Sequence, residues 1–183
     1  MKVFYLILVF LLVLPSEIQA NSQWGDSVTS IASPTLEIDF PSGNSLIQFF
    51  RVTKSEDRES GSDIEMYLTS PATGSPRSYY LGKIEPQGDS PNIESVFTLD
   101  VDRDGRKELL IIARWEISHL GLETEGNYYK TYVYKAGKDG LNFTRMKDVE
   151  SVIGEGLDGT REGKSVYYRY RNAESIRKLF RKP

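Results

Sequence analysis

The chain has no cysteine and only one histidine, His119, among its 183 residues. Without thiols it can form no disulfide bond, no thiolate metal site and no cysteine nucleophile. One imidazole is too few for a catalytic zinc site, which commonly takes two or three histidines. The sequence also lacks the Gly-x-Ser-x-Gly pattern of a serine nucleophile elbow. We therefore expect a protein that is not an enzyme.

An excess of positive charge is lacking as well. The chain has 23 Lys and Arg residues against 26 Asp and Glu residues, so its formal net charge is −3. Proteins that bind nucleic acids in general carry a basic face or stripe, and this balance argues against such a role. The length fits a single domain of ordinary size.

Long apolar runs are absent except near the N-terminus, where apolar residues extend without interruption from Val3 to Leu14. Lys2 precedes this run, and a small residue, Ala20, follows it. That order is typical of a secretory signal peptide, and the run is shorter than the roughly 20 residues of a membrane span. We expect residues 1–20 to be removed and residues 21–183 to form one β-sandwich domain. Because no cysteine is available for lipid attachment, we expect a soluble periplasmic protein without stable membrane insertion.

Short segments with strand character recur along residues 34–170, and turns rich in Pro, Gly, Asn or Ser separate them. No connection contains an amphipathic crossover helix, so a parallel βαβ fold is disfavoured. Asn172 is placed to cap a closing helix, whereas the polar segment 21–33 indicates a loose arm or a short helix. The sequence therefore predicts an all-β fold, an antiparallel β-sandwich with short terminal helices. The predicted strands are residues 36–40, 46–52, 64–68, 77–84, 93–99, 108–117, 128–135, 143–149 and 165–170.

The most informative segment is an acidic stretch between two predicted strands, residues 100–108. Its carboxylates stand at the first, third, fifth and ninth positions, and Gly105 at the sixth position allows a sharp turn. This spacing folds a short loop around one hard cation, and calcium, which takes about six to eight oxygen ligands, is the expected ion. The predicted ligands are the side chains of Asp100, Asp102, Asp104 and Glu108 and the main-chain carbonyl of Arg106.

This acidic loop is not an EF-hand. Ile111 stands at the twelfth position, where an EF-hand has its bidentate Glu, and strands rather than helices flank the loop. The pattern looks like the strand-flanked Asp-x-Asp-x-Asp-Gly loops of integrin-type propellers. The alternative interpretation is a hairpin turn whose carboxylates stay hydrated.

Six short segments between Arg77 and Phe180 share a pattern with one known family. They are residues 79–82, 94–97, 107–110, 115–117, 126–134 and 154–159. On these segments the chain resembles the carbapenem intrinsic resistance family, small periplasmic proteins that are encoded with carbapenem biosynthesis genes in enterobacteria. The resemblance covers the second half of the chain and little of its first part.

The resemblance implies a β-sandwich with short terminal helices, a homodimer and a cation site. It also implies a non-catalytic role, in which the protein protects its own cell by binding the carbapenem or by shielding the envelope target of the drug. One alternative is a cation-binding module of the envelope without an antibiotic role.

A second alternative comes from periplasmic inhibitors of invertebrate-type lysozyme, which share this fold. Those inhibitors insert a Ser-Gly-x-x-Tyr loop into the lysozyme cleft. The nearest match in this chain extends from Ser75 to Tyr79, with Pro76 in place of the glycine. Proline fixes φ and removes the flexible position of such a loop. Ser75 and Tyr79 are therefore candidate inhibitor residues in a loop that departs from the pattern.

Overall fold

The structure is a computed structural model that describes residues 27–30, 35–41, 43–53, 61–71 and 75–181, and of residues 27–30 only the backbone. The expected signal peptide lies outside the described residues, so its removal stays a prediction. Within the described part of the chain, no helix is long and apolar enough to cross a membrane.

Two antiparallel sheets form the fold. The first sheet consists of β1 (Ser27–Ser30), β2 (Leu36–Asp39), β3 (Asn44–Thr53), β4 (Asp63–Ser70) and β5 (Arg77–Ile84). Both β1 and β2 pair with β3, and β4 and β5 follow in order. The segment expected as a loose arm or a short helix thus contributes an edge strand, because the backbone of β3 offers it a row of hydrogen-bonding groups.

The second sheet has the strand order β11-β10-β8-β7-β6, and β9 pairs with β8. Its strands are β6 (Asn92–Leu99), β7 (Glu108–His119), β8 (Thr124–Ala136), β9 (Phe143–Arg145), β10 (Glu155–Arg161) and β11 (Lys164–Val166). The described residues also form two short α-helices, α1 (Lys147–Ile153) and α2 (Ala173–Phe180). The predicted all-β sandwich with short helices is confirmed.

The two sheets and the two helices make three layers with two cores between them. The first core lies between the sheets and includes Met66 from β4 and Trp115 from β7, both fully buried. The second core lies between the second sheet and the helices, where Val149 and Ile153 of α1 and Ile176 of α2 cover it. The second sheet is therefore the middle layer, and its outer face is closed by helices.

Strand β7 runs through the middle of this arrangement. Its residues from Glu108 to Ala113 are all buried, because Leu109 and Ile111 face the first core while Leu110 and Ile112 face the second. A continuous apolar run is typical of a strand that is covered on both faces. Glu108 is the one charged residue in the run, and it stands where the acidic loop enters the strand.

The prediction of one strand over residues 143–149 is wrong in its second half. Strand β9 ends at Arg145, and α1 begins at Lys147. The carboxylate of Glu150 in α1 accepts a hydrogen bond from the backbone N–H of Val133 at 3.0 Å, and Arg145 holds the same carboxylate through two hydrogen bonds of 2.7 Å. A helix side chain thus satisfies the donor that a longer strand would have paired.

Strand β10 was not expected, and two glycines, Gly156 and Gly159, interrupt its sequence. In the structure Gly159 of β10 pairs with Gly126 of β8. A Cβ on Gly159 would stand 2.2 Å from the carbonyl oxygen of Glu125, so only glycine allows the two backbones to approach this closely. The expected strand at 165–170 is shorter than predicted and ends at Val166. The expected cap of the closing helix is confirmed, because the side chain of Asn172 accepts from the N–H of Ser175 at 2.9 Å.

Two valines of α1 provide a test of how much the second core depends on this helix. Val149 is 9% exposed and Val152 is 64% exposed. Val149→Ala should lower the free energy of unfolding by about 2 kcal/mol, because it removes two buried methyl groups and leaves a cavity. Val152→Ala removes the same groups from an exposed position and should change stability by less than about 0.5 kcal/mol. Urea unfolding of both variants measures the difference, and equal values would mean that α1 does not pack on the sheet as described.

Candidate metal centre

The acidic loop connects two neighbouring antiparallel strands, and their pairing closes it. Leu99 at the end of β6 pairs with Glu108 at the start of β7, so the loop between them must turn sharply. Two of its residues have positive φ, Arg103 at 63° and Gly105 at 86°. A Cβ on Gly105 would meet no atom within 4 Å. Glycine is favoured there for its backbone conformation and not for lack of space.

Backbone N–H groups of the loop hold its carboxylates. The N–H of Gly105 donates to Oδ2 of Asp100 at 3.1 Å, and the N–H of Asp104 donates to Oδ1 of Asp102 at 3.3 Å. The N–H of Val101 donates to Oε2 of Glu108 at 2.9 Å. Each of these three carboxylates thus keeps a second oxygen that the loop backbone does not bind.

Three carboxylates converge inside the loop. One oxygen each from Asp100, Asp102 and Glu108 lies within 4.8 Å of the other two. Glu108 is fully buried, and both Oδ1 of Asp100 and Oε1 of Glu108 are buried without a hydrogen-bond partner among the described residues. A buried oxygen without a donor costs free energy, and a cation between these oxygens would remove that cost.

The buried position of Glu108 changes its acidity. Burial raises the pKa of this carboxyl above its usual value, and the nearby charges of Asp102 and Asp104 raise it further. The N–H of Val101 and the ammonium of Lys135 act in the opposite direction without cancelling the effect of burial. The ionised form of Glu108 is therefore unfavourable in this site unless more positive charge approaches it.

The carboxylate of Asp104 points to positive side chains. Its Oδ2 accepts hydrogen bonds from Lys135 at 2.6 Å and from the guanidinium of Arg106 at 3.0 Å. These bonds hold the pKa of Asp104 well below its usual range, with that from Lys135 having the largest effect. The same Lys135 ammonium also bonds to Oδ2 of Asp102, and its own pKa is raised by both carboxylates.

The structure brings together three of the five predicted ligands: Asp100, Asp102 and Glu108. Asp104 lies beside them with its carboxylate on Lys135 and Arg106, so its role as a ligand stays a prediction. The side chain of Arg106 also donates to the carbonyl of Ala136 at 3.4 Å, and ligation by its own carbonyl stays a prediction as well. Sequence reasoning missed Lys135, which reaches the site from β8 and has no signal within the acidic stretch.

The candidate inhibitor residues lie elsewhere. Ser75 is exposed just before β5. Tyr79 is a half-buried residue of β5, opposite Leu68 of β4, and its ring contacts that of Phe143 with centroids 5.2 Å apart. Tyr79 is thus held in a sheet. Lysozyme inhibition through these residues stays a prediction without a structural observation in its favour.

A Ser-x-x-Lys spacing, which is also that of the nucleophile in serine β-lactamases, occurs at Ser175 and Lys178 of α2. The hydroxyl of Ser175 donates to the carbonyl of Asn172 at 2.8 Å. The ammonium of Lys178 lies 2.6 Å from the carboxylate of Glu174 one turn away. These are the contacts of a capped surface helix, and they do not form a base beside the serine hydroxyl.

The raised pKa of Glu108 predicts how the metal-free protein responds to pH. Because the folded state raises this pKa above the unfolded value, the stability that Glu108 contributes is present at low pH and is lost as the pH rises through the folded pKa. Glu108→Gln should therefore stabilise the protein in the presence of chelator at pH 7, and its advantage over wild type should shrink towards pH 4.5. Glu116→Gln, an exposed residue of the same strand, is the control. Urea unfolding over this pH range would contradict the assignment if the advantage of Glu108→Gln grew on acidification.

Comparison with known proteins found no relative of this chain. No family model matches the chain, and neither a curated protein nor a solved structure matches it. The chemistry of its own residues is therefore the basis for the function of the site.

Proposed function

We propose that the chain is a non-catalytic protein of the bacterial envelope that binds a hard divalent cation in the loop between β6 and β7. The observation that carries this proposal is the pair of buried oxygens, Oδ1 of Asp100 and Oε1 of Glu108, which have no hydrogen-bond partner in the described part of the chain. Carboxylates in such a position are stabilised by a cation that touches both of them.

The donor set favours calcium over a transition metal. The converging groups are carboxylates, with no imidazole or thiolate among them, and hard cations prefer such oxygen ligands. Calcium accepts an irregular shell of about six to eight oxygens. The three converging carboxylates would supply part of this shell, and Asp104, the carbonyl of Arg106 and water are the proposed sources of the remainder.

Calcium should stabilise the folded protein, because it binds the native loop and not the unfolded chain. At a free calcium concentration about 100 times the Kd, the gain is about 2.7 kcal/mol. For a domain of this size that gain raises Tm by about 5–10 °C. Asp102→Ala should abolish the shift, since it removes one of the three converging carboxylates. Thermal unfolding with calcium and with chelator measures both.

The matched control is Asp148→Ala, which removes an exposed carboxylate of α1 outside the loop. This variant should keep the full calcium shift. If chelator leaves Tm of the wild type unchanged and Asp102→Ala behaves like the wild type in calcium, the loop is a hydrated hairpin turn and the proposal fails.

The biological role that we propose is intrinsic resistance to a carbapenem, and the support for it is the resemblance. The all-β sandwich with short helices agrees with the fold that the resemblance implies. On the same resemblance we propose that the protein is a homodimer and that it protects the cell by binding the drug or by shielding its target. A cation-binding envelope module without an antibiotic role is the alternative.

Expression of the gene in a sensitive strain separates these roles. We expect a higher lethal dose of a simple carbapenem with the wild-type gene, while the purified protein leaves the ring absorbance of the drug unchanged. Equal lethal doses with and without the gene would favour the envelope module. Steady loss of the absorbance at catalytic turnover would show that the protein is an enzyme.

A further inference from the structure

Lys135 brings a positive charge into the acidic loop from a different strand. Leu109 of β7 pairs with Tyr134 of β8, so Lys135 stands beside Glu108 at the same end of the two strands. Val133, two residues earlier on β8, faces the second core, and the alternation along a strand directs Lys135 to that same face. Strand register therefore directs this side chain to the loop.

The ammonium of Lys135 binds one side of the carboxylate cluster and leaves the other side without a hydrogen-bond donor among the described residues. It bonds to Oδ2 of Asp102 and lies 2.6 Å from Oδ2 of Asp104. Its distance to Oε1 of Glu108 is 3.9 Å, which is beyond a hydrogen bond. Oδ1 of Asp100 and Oε1 of Glu108 remain without a donor. One monovalent cation thus neutralises the more exposed carboxylates and donates no hydrogen bond to the buried oxygens.

We infer that Lys135 is a tethered cation that competes with the metal ion for the acidic loop and lowers the affinity of the loop for calcium. This inference rests on the proposed function, because it assumes that a divalent ion enters the loop. Asp102 is shared between the two cations, since its Oδ2 bonds to Lys135 and one of its oxygens belongs to the converging set. A divalent ion at this carboxylate and an ammonium on it repel one another, so the contact of Lys135 with Asp102 weakens binding of the metal.

The competition has a consequence for the metal-free state. Four carboxylates within nine residues repel one another, and Lys135 offsets that repulsion when no metal is bound. The loop can then keep its fold without metal while it binds calcium reversibly. Such a site responds to the calcium concentration, whereas a site without the lysine would bind calcium tightly and depend on it for folding.

Calorimetric titration with calcium chloride of the full mature chain tests the inference. Lys135→Met keeps the length and the apolar character of the side-chain stem and removes the charge. A positive charge about 5 Å from a divalent ion weakens binding by about tenfold even at the dielectric constant of water. We therefore expect Lys135→Met to bind calcium at least about tenfold more tightly than the wild type.

Lys130→Met is the matched control, because Lys130 lies on the same strand and forms an ion pair with Glu155 outside the loop. It removes the same charge and should leave the Kd for calcium within about twofold of the wild type. Lys135→Met should also lower Tm in chelator and restore it in calcium. This second measurement covers the case in which the metal-free variant is too unstable for titration.

The outcomes distinguish the inference from the proposed function. If the wild type binds calcium and Lys135→Met binds it equally or more weakly, the competition is refuted and the metal site stands. If Lys135→Met binds calcium and the wild type does not, the competition is supported, and the lysine rather than the metal is the natural occupant of the loop. If neither protein binds calcium, both the proposed function and this inference are refuted.

Discussion

Strand β7 lies between two apolar cores, and a charged residue at its first position is the constraint on which the acidic loop depends. Glu108 is fully buried at this position, where an ionised carboxylate is costly unless hydrogen bonds or charges stabilise it. The N–H of Val101 stabilises one oxygen, and the other has no donor among the described residues. The loop increases this cost in the absence of a cation, because it brings further carboxylates close to Glu108. The loop turns Asp100 and Asp102 towards the buried glutamate and so builds a concentrated negative charge that only a cation can neutralise.

Two cations of different character are suited to different parts of this cluster. Lys135 is attached to the chain, so it needs no free ion and loses no translational entropy of its own when it binds. Its position lets it donate hydrogen bonds to Asp102 and Asp104 but not to the buried oxygens of Asp100 and Glu108. A divalent ion carries twice the charge and coordinates several oxygens at once. In the competition that we propose, the balance between the two would depend on the concentration of the divalent ion around the protein.

Much of the fold could be predicted because strand patterns are local. The alternation in β3 and β4 follows from one covered and one open face of the first sheet. The continuous apolar run in β7 follows from coverage on both faces. The strand predictions that were wrong depend on contacts of the tertiary structure. Strand β10 was missed because the close contact between Gly159 and Gly126 is invisible until the two strands are paired. Residues 147–149 were wrongly predicted as a strand. They are helical, and the hydrogen bond from the N–H of Val133 to Glu150 forms only when α1 packs on the sheet.

The amino-acid sequence by itself determined the spacing of the carboxylates, the glycine at the turn and the strands on either side of the loop. These are local properties, and they suffice to predict a loop that can hold a hard cation. Only the tertiary structure decided which carboxylates converge and which are paired with other side chains. Glu108 is fully buried only in the folded chain, and the approach of Lys135 arises from the register between β7 and β8. Burial and register depend on contacts between segments far apart in the chain. For this reason the charge balance of the loop cannot be predicted from its own nine residues.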